Sequence, residues 1–374
     1  MKSVELFAGI GGFRIACDEL DIQTIWANDI EPKASQVYTS QFGCKEHVEG
    51  NIDDYLDSIP EHDLLTGGFP CQPFSSAGKK LGINDSRGSL FEKITYIINK
   101  KKPKYFILEN VKRLLSMEKG AHFARILKSL SDLGYLVEWR LLNAVHFGLP
   151  QNRERIVIIG HRNSPFNAYL CSNADFNTLS CKTNSSISHV TQWKKIKHHR
   201  SKFLNWGMAF QGRFCHADVL SFSEKQADTR LHSILEATPD SRFFFTKDTL
   251  KRIQNSDVVN KFYNGVEILY NQKGGARMGY SIFGTAGVAP TLTCTTSRHY
   301  ERYRIHNEYR RLTNIEYARI QGFPDLHCQS VSIYDQYPLY GNAVPPALVK
   351  WVIDRIINKK HVPLNNISKK KELF

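Results

Sequence analysis

Residues 4–12 read Val4-Glu5-Leu6-Phe7-Ala8-Gly9-Ile10-Gly11-Gly12, an apolar run that breaks into three glycines within four positions. The run is short and β-prone, and a helical pattern follows it. This is the signature of a strand that turns sharply into a helix, with glycines where the backbone must come close to something. Asp29 lies 20 residues beyond Gly9, at the end of a second apolar run, Ile25-Trp26-Ala27-Asn28. An acid at that place can hold ribose hydroxyls. The complete G-x-G-x-x-G fingerprint is missing, because Arg14 stands where its last glycine would be. A nicotinamide dinucleotide is therefore disfavoured. An adenosine-type ligand and a plain tight turn both remain open on this stretch alone.

Outward from that turn the alternation continues. Asp63-Leu64-Leu65-Thr66, Tyr105-Phe106-Ile107-Leu108, 135–142 and Ile156-Val157-Ile158-Ile159 read as further strands. Between them, Ser89-Leu90-Phe91-Glu92 opens a helix with a capping box, and Phe123, Ile126, Leu127, Leu130 and Leu133 form a helical stripe ending at Gly134. The pattern predicts an α/β fold with a doubly wound, mostly parallel sheet covered on both faces. Beyond about residue 161 the chain turns irregular, polar and basic, and regular helical patterns return at 313–320 and 346–358. The expected division is a catalytic and cofactor-binding domain at 1–185, a smaller loop-rich domain at 186–334, and a closing segment at 335–374 that returns to the first.

Composition narrows the function. Fifty Lys and Arg stand against 36 acids, a net charge of +14, which favours a polyanionic partner, most simply nucleic acid. Eight cysteines are scattered without any C-x-x-C pair, which argues against zinc and suits reduced thiols in a cytoplasm. The first residues read as a strand and not as a signal peptide, and no apolar run reaches the roughly 18 residues of a membrane span.

Three groups stand out at strand ends. Cys71 sits between Pro70 and Pro73 after Gly67-Gly68, at the carboxyl end of the third strand, where open α/β sheets place their ligands. A thiol there is a candidate nucleophile, though a small buried residue is the plainer reading. Glu109, in Glu109-Asn110-Val111, ends the next strand at the same edge. Arg153 and Arg155, in Gln151-Asn152-Arg153-Glu154-Arg155, precede another. Singly, Glu109 could serve a helix dipole and the arginines could pair with Glu154. Together they suggest one site.

These stretches, in this order, resemble the DNA cytosine C5-methyltransferases of prokaryotic restriction-modification systems. The resemblance rests on FAGIGG at 7–12, GFPCQPFS at 68–75, DSRGSLF at 85–91, ENV at 109–111, QNRER at 151–155, RLTNIEYARIQGFPD at 311–325 and YGNAVPP at 340–346. It implies a class I, Rossmann-like S-adenosylmethionine-dependent fold with a target-recognition domain. It implies that Cys71 adds to C6 of a cytosine turned out of duplex DNA, that Glu109 protonates N3, and that Arg153 and Arg155 hold the base. Phe7, Gly9, Ile10, Gly11, Gly12, Asp29, Ile30, Asn51, Ile52, Pro70, Leu90, Asn342 and Ala343 would bind S-adenosylmethionine, leaving S-adenosylhomocysteine, with no metal. The Phe69 carbonyl would accept from the cytosine amino group. Gln72, Ser75, Ser76, Arg87, Thr291, Leu292 and Arg298 would touch DNA. Gly50-Asn51-Ile52 departs from the family's G-D-I, so the adenine contact would fall to the Asn51 amide oxygen or shift to Asp53 or Asp54.

The implied protein is a cytoplasmic monomer, associated with the nucleoid through DNA, that protects host DNA from a partner restriction endonuclease without forming a stable complex with it. Its rivals are the tRNA-directed branch of the family, whose Cys-Phe-Thr signature is missing here, a catalytically silent DNA-binding relative and, more distantly, a nicotinamide oxidoreductase.

Overall fold

The structure is a computed structural model and describes residues 1–69, 90–162, 167–175, 193–226, 228–272, 281–293 and 302–363. Its frame is a large sheet. The strands β1 (Lys2–Leu6), β2 (Gln23–Asp29), β3 (His47–Glu49), β4 (Leu64–Gly68) and β5 (Tyr105–Val111) lie in the order β3-β2-β1-β4-β5, every neighbouring pair parallel. Helices α1 (Gly12–Asp18), α2 (Pro32–Phe42), α3 (Leu90–Lys101) and α4 (Ala121–Asp132) fall between strands in the chain.

Beyond β5 the sheet continues with β7 (Glu154–Arg162) and then β6 (Tyr135–Asn143), and β7 runs antiparallel to both. The reason is the link. Residues 144–153 are too few for a helical crossover, so β7 turns back along β6. All the first seven strands except β7 point one way, which keeps the sheet mostly parallel, as the alternation predicts.

The apolar run of β5 shows why both faces are covered. Phe106 and Leu108 pack with Ile94, Ile97, Phe123 and Leu127 of α3 and α4. Tyr105 and Ile107 point the other way, onto Phe13 and Ala16 of α1 and onto Leu348, Val349 and Val352.

After a short strand β8 (Asn167–Ala168), the stretch assigned from sequence to the start of the second domain extends the large sheet instead. β9 (Lys194–Lys195), β10 (Trp206–Phe210) and β11 (Arg213–Ala217) add antiparallel strands, with β10 hydrogen-bonded to β6. A second, five-stranded sheet follows helix α5 (Lys247–Gln254). It comprises β12 (Asp257–Tyr263), β13 (Val266–Asn271), β14 (Ser281–Phe283), β15 (Arg302–Ile305) and β16 (Glu308–Arg310). Helices α6 (Asn314–Gln321) and α7 (Ile333–Asn342) pack against this sheet's core. Helix α8 (Pro346–Ile357) docks on α1, and β17 (Val362–Pro363) pairs with β8. Among the described residues, no helix is long and apolar enough to cross a membrane.

Candidate active site

The carboxyl ends of β1, β4 and β5, the segment before β7 and the end of α7 enclose one cavity of about 370 Å³. The glycine turn forms one wall. Gly9 has φ 55°, a left-handed conformation, and among the described residues an added Cβ there would meet no atom within 4 Å. Its N–H donates to Asp29 Oδ2 at 2.6 Å, and Glu31 N–H donates to Asp29 Oδ1 at 2.9 Å. Burial nonetheless holds the Asp29 carboxyl above its usual range.

The other two glycines make close approaches within the protein. A Cβ on Gly11, at φ 84°, would lie 2.3 Å from the Phe42 ring. One on Gly12 would lie 2.2 Å from the Val344 carbonyl oxygen. Of the cofactor residues expected from sequence, Phe7, Gly9, Ile10, Gly12, Asp29, Asn342 and Ala343 line the cavity.

Glu109 and Arg155 line the same cavity. Glu109 pairs in register with Gly68, two residues short of the Pro70-Cys71 pair in sequence. Its carboxylate accepts from Arg155 Nε at 2.9 Å, both side chains being nearly buried. Burial raises the Glu109 carboxyl above its usual range, against the opposing pull of Arg155 and then Arg153. Glu154, the alternative partner weighed for the arginines, pairs with Lys112 at 2.7 Å. Asn110 Nδ2 donates to the Phe69 carbonyl at 2.8 Å, so the acceptor expected for a cytosine amino group already carries one bond.

Arg153 lines the cavity but is turned away from Glu109's acceptors. Its Nη1 donates to Leu292 O at 3.0 Å, and its Nη2 to Gly341 O at 3.0 Å and Ala343 O at 2.9 Å. Leu292, read from sequence as a DNA contact, is buried, and its N–H donates to Gln151 Oε1 at 3.1 Å. Thr291 donates to Asn152 O at 2.6 Å. Both are engaged as ties between the 291–292 segment and the QNRER segment.

Ile30, Asn51, Ile52 and Leu90 do not line the cavity. Ile30 is exposed, and Leu90 packs on the α3 side of the core. Asn51 Oδ1 caps the following turn by accepting from Asp53 N–H at 3.2 Å. Asp53, the proposed substitute, is held by Lys93 at 2.6 Å. Pro70, Cys71, Gln72, Ser75, Ser76, Arg87 and Arg298 lie outside the described residues.

Sequence reading missed Glu31, Leu339, Gln151 and Gln321. Glu31 and Leu339 line the cavity. Gln151 Nε2 donates to Gln321 Oε1 at 3.0 Å, both residues fully buried. Glu31 was findable, since it opens the helix directly after Asp29. The glutamines carry no local signal, because their partners are distant in sequence.

The lining suits an adenosine bearing a charged tail. Two carboxylates stand beside the open face of Gly9, Phe7, Phe13 and Leu339 supply apolar surface, and Asn342 supplies an amide. Among the described residues, no group of three or more His, Cys, Asp or Glu side chains is placed to hold a metal.

The family described as C-5 cytosine-specific DNA methylase matches residues 1–358. The chain is 32% identical over 366 residues to the type II methyltransferase M1.ScrFI of Lactococcus lactis subsp. cremoris, covering 95% of this chain and 78% of that relative. It is 31% identical over 370 residues to the type II methyltransferase M.HaeII of Haemophilus aegyptius, covering 98% and 96%. A DNMT2 mutant from Spodoptera frugiperda superposes with a TM-score of 0.62 over 95% of this chain and 99% of that one. At 19% identity, that likeness shows the fold alone.

Proposed function

The chain belongs to the C-5 cytosine-specific DNA methylase family, and from that premise we propose how its own residues carry out the family's reaction. That reaction moves a methyl group onto carbon 5 of a cytosine in DNA. Carbon 5 is a poor nucleophile, and a thiolate added at C6 breaks the ring's conjugation and places electron density on C5. Cys71 is the proposed thiolate. Glu109, whose carboxyl burial pushes toward the protonated form, donates to N3 and makes the addition easier. Arg155 fixes the Glu109 carboxyl and balances charge beside it. When bound, S-adenosylmethionine supplies the methyl group. Loss of the C5 proton to a base then expels the Cys71 sulfur, and the N3 proton returns to Glu109.

Gly9, Asp29, Phe7 and Asn342 would hold the cofactor, as the lining of the cavity allows. The target carbon is out of reach inside a stacked duplex, so the nucleotide must swing into this cavity. The single observation that carries the reading is that the Glu109–Arg155 pair and the glycine turn open into the same space.

The proposal extends to duplex DNA as substrate, to a functional pairing with a restriction endonuclease, and to a monomer working in the cytoplasm. The domain division is proposed with the second unit carrying recognition and β9 to β11 counted with the large sheet. The test is transfer of tritiated methyl groups to unmethylated duplex DNA and, separately, to tRNA, with bisulfite sequencing of the DNA product. Label at C5 of cytosines within one short duplex sequence is expected. Label in tRNA alone would replace the substrate.

A further inference from the structure

Arg153 joins three chain segments that lie far apart in sequence. Its guanidinium donates to Leu292 O on the recognition side and to Gly341 O and Ala343 O on the cavity side. The side chain is fully buried, and none of these partners is a carboxylate. Carbonyl oxygens hold a guanidinium by direction more than by charge, so the planar fork fixes the angle between the two sides.

Gln151 reinforces the recognition side. It accepts from Leu292 N–H and reaches Gln321, whose own amide donates to Tyr340 O. Further backbone bonds run between Ala289 and the residues just before Arg153, with Ala289 N–H to Pro150 O at 2.8 Å and Asn152 N–H to Ala289 O at 2.8 Å. On the other side, the 341–344 segment lines the cavity, and Val344 O packs against the Cα of Gly12. A displacement of 289–292 therefore reaches the cavity wall through Arg153.

We propose that Arg153 is a positioning residue that couples the seating of duplex DNA on the unit that carries the buried 289–292 segment to the shape of the cofactor cavity, so that DNA and cofactor tighten each other's binding. This rests on the proposed function. The coupling is reciprocal by necessity, because the same tie is strained or relaxed whichever ligand arrives first.

The experiment measures the dissociation constant of S-adenosylhomocysteine by calorimetry, with the intact chain alone and saturated with unmethylated phage DNA fragments. The quantity read is the ratio of the two constants. A variant that merely loosens the fold weakens both and leaves the ratio alone. The wild-type ratio is expected at about 5-fold or more, within the usual span of coupling between sites. Arg153→Lys keeps the charge but loses the fork, and its ratio should fall to about 2-fold or less. Gln151→Ala leaves Arg153 in place and removes the Gln151 side-chain bonds to Leu292, Gln321 and Ile320. Its ratio should lie between the two, and it decides the matter if Arg153→Lys does not fold. A wild-type ratio near one, or an undiminished ratio in whichever variant folds, overturns the proposal. A wild-type chain that binds no S-adenosylhomocysteine at all overturns the proposed function itself, and this inference with it.

Discussion

Arg155 Nε stands 2.9 Å from Glu109 Oε1 across the antiparallel β5–β7 pair. Val111 is the direct partner of Arg155 in that register, and Glu109 lies two residues before Val111, so all three share one face. The relationship gives a buried carboxyl one fixed partner and one fixed direction while burial keeps its proton affinity high. A proton donor needs both properties.

Glu109→Gln should lower kcat by about 100-fold or more, the usual contribution of a positioned acid, while DNA affinity changes little. Steady-state kinetics with a DNA-binding titration separates the two. A loss confined to DNA affinity would remove Glu109 from the chemistry. In the wild type only the protonated form donates, so kcat should fall as pH rises through the elevated Glu109 value. A rate that climbs steadily with pH would oppose that role.

Cys71→Ala should abolish methyl transfer and leave S-adenosylhomocysteine binding largely intact. Calorimetry beside a tritium-transfer assay checks both halves. Wild-type turnover in the variant would refute the nucleophile.

Alanine substitutions along the glycine turn should part company. Gly12→Ala drives a methyl into the Val344 carbonyl and Gly11→Ala drives one into the Phe42 ring, so each should destabilise the fold measurably. Among the described residues Gly9→Ala meets no atom within 4 Å, and its cost is the left-handed φ of 55°, about 1–2 kcal/mol. Its larger effect should be a weakened cofactor affinity, because Gly9 borders the cavity and, unlike Gly12, crowds none of the described residues. Thermal melts and calorimetry on the three variants test the split. Equal losses of affinity and stability in all three would count against it.

Glu5→Gln should stabilise the protein increasingly as pH rises. Glu5 lies buried in β1, where the Tyr38 hydroxyl donates to it at 3.1 Å, and burial pushes its carboxyl up to about 8 against the opposing pull of Tyr38 and Arg14. The folded state thus keeps a proton that the unfolded chain releases near 4.5. Stability falls from about pH 4.5 to about pH 8, by up to about 1.4 kcal/mol per pH unit, and is flat above. Glutamine carries no such proton. Urea melts of both proteins at pH 5 and pH 8 should show a larger gain at pH 8, and the same gain at both would sink the prediction.

Much of the fold was legible because its determinants are local. The strand, turn and helix at 2–18, the doubly apolar β5 and the returning α8 each carry their own period in sequence. The reversed β7 was not, because strand direction depends on where the link leads and not on the strand's own residues. Residues 194–217 looked like part of a basic recognition region, yet Trp206 and Met208 are fully buried and pair onto β6. At the site, Asp29, Glu109 and Arg155 were readable from strand ends. The work of Arg153 was hidden, because backbone carbonyls 139 to 190 residues away leave no mark on its neighbours. Gly11 and Gly12 looked alike in sequence, yet Gly11 makes a close approach to Phe42 away from the cavity lining, while Gly12 both lines the cavity and closely approaches Val344.

The most direct measurement is covalent capture on duplex DNA in which 5-fluorocytosine replaces cytosine, incubated with S-adenosylmethionine and resolved under denaturing conditions. Fluorine at C5 cannot leave as a proton does, so a sulfur bond to C6 persists. The wild-type chain should form an adduct that survives denaturation, and Cys71→Ala should form none. An adduct that persists in Cys71→Ala, or a wild-type chain that methylates ordinary DNA yet is never captured, would contradict the mechanism.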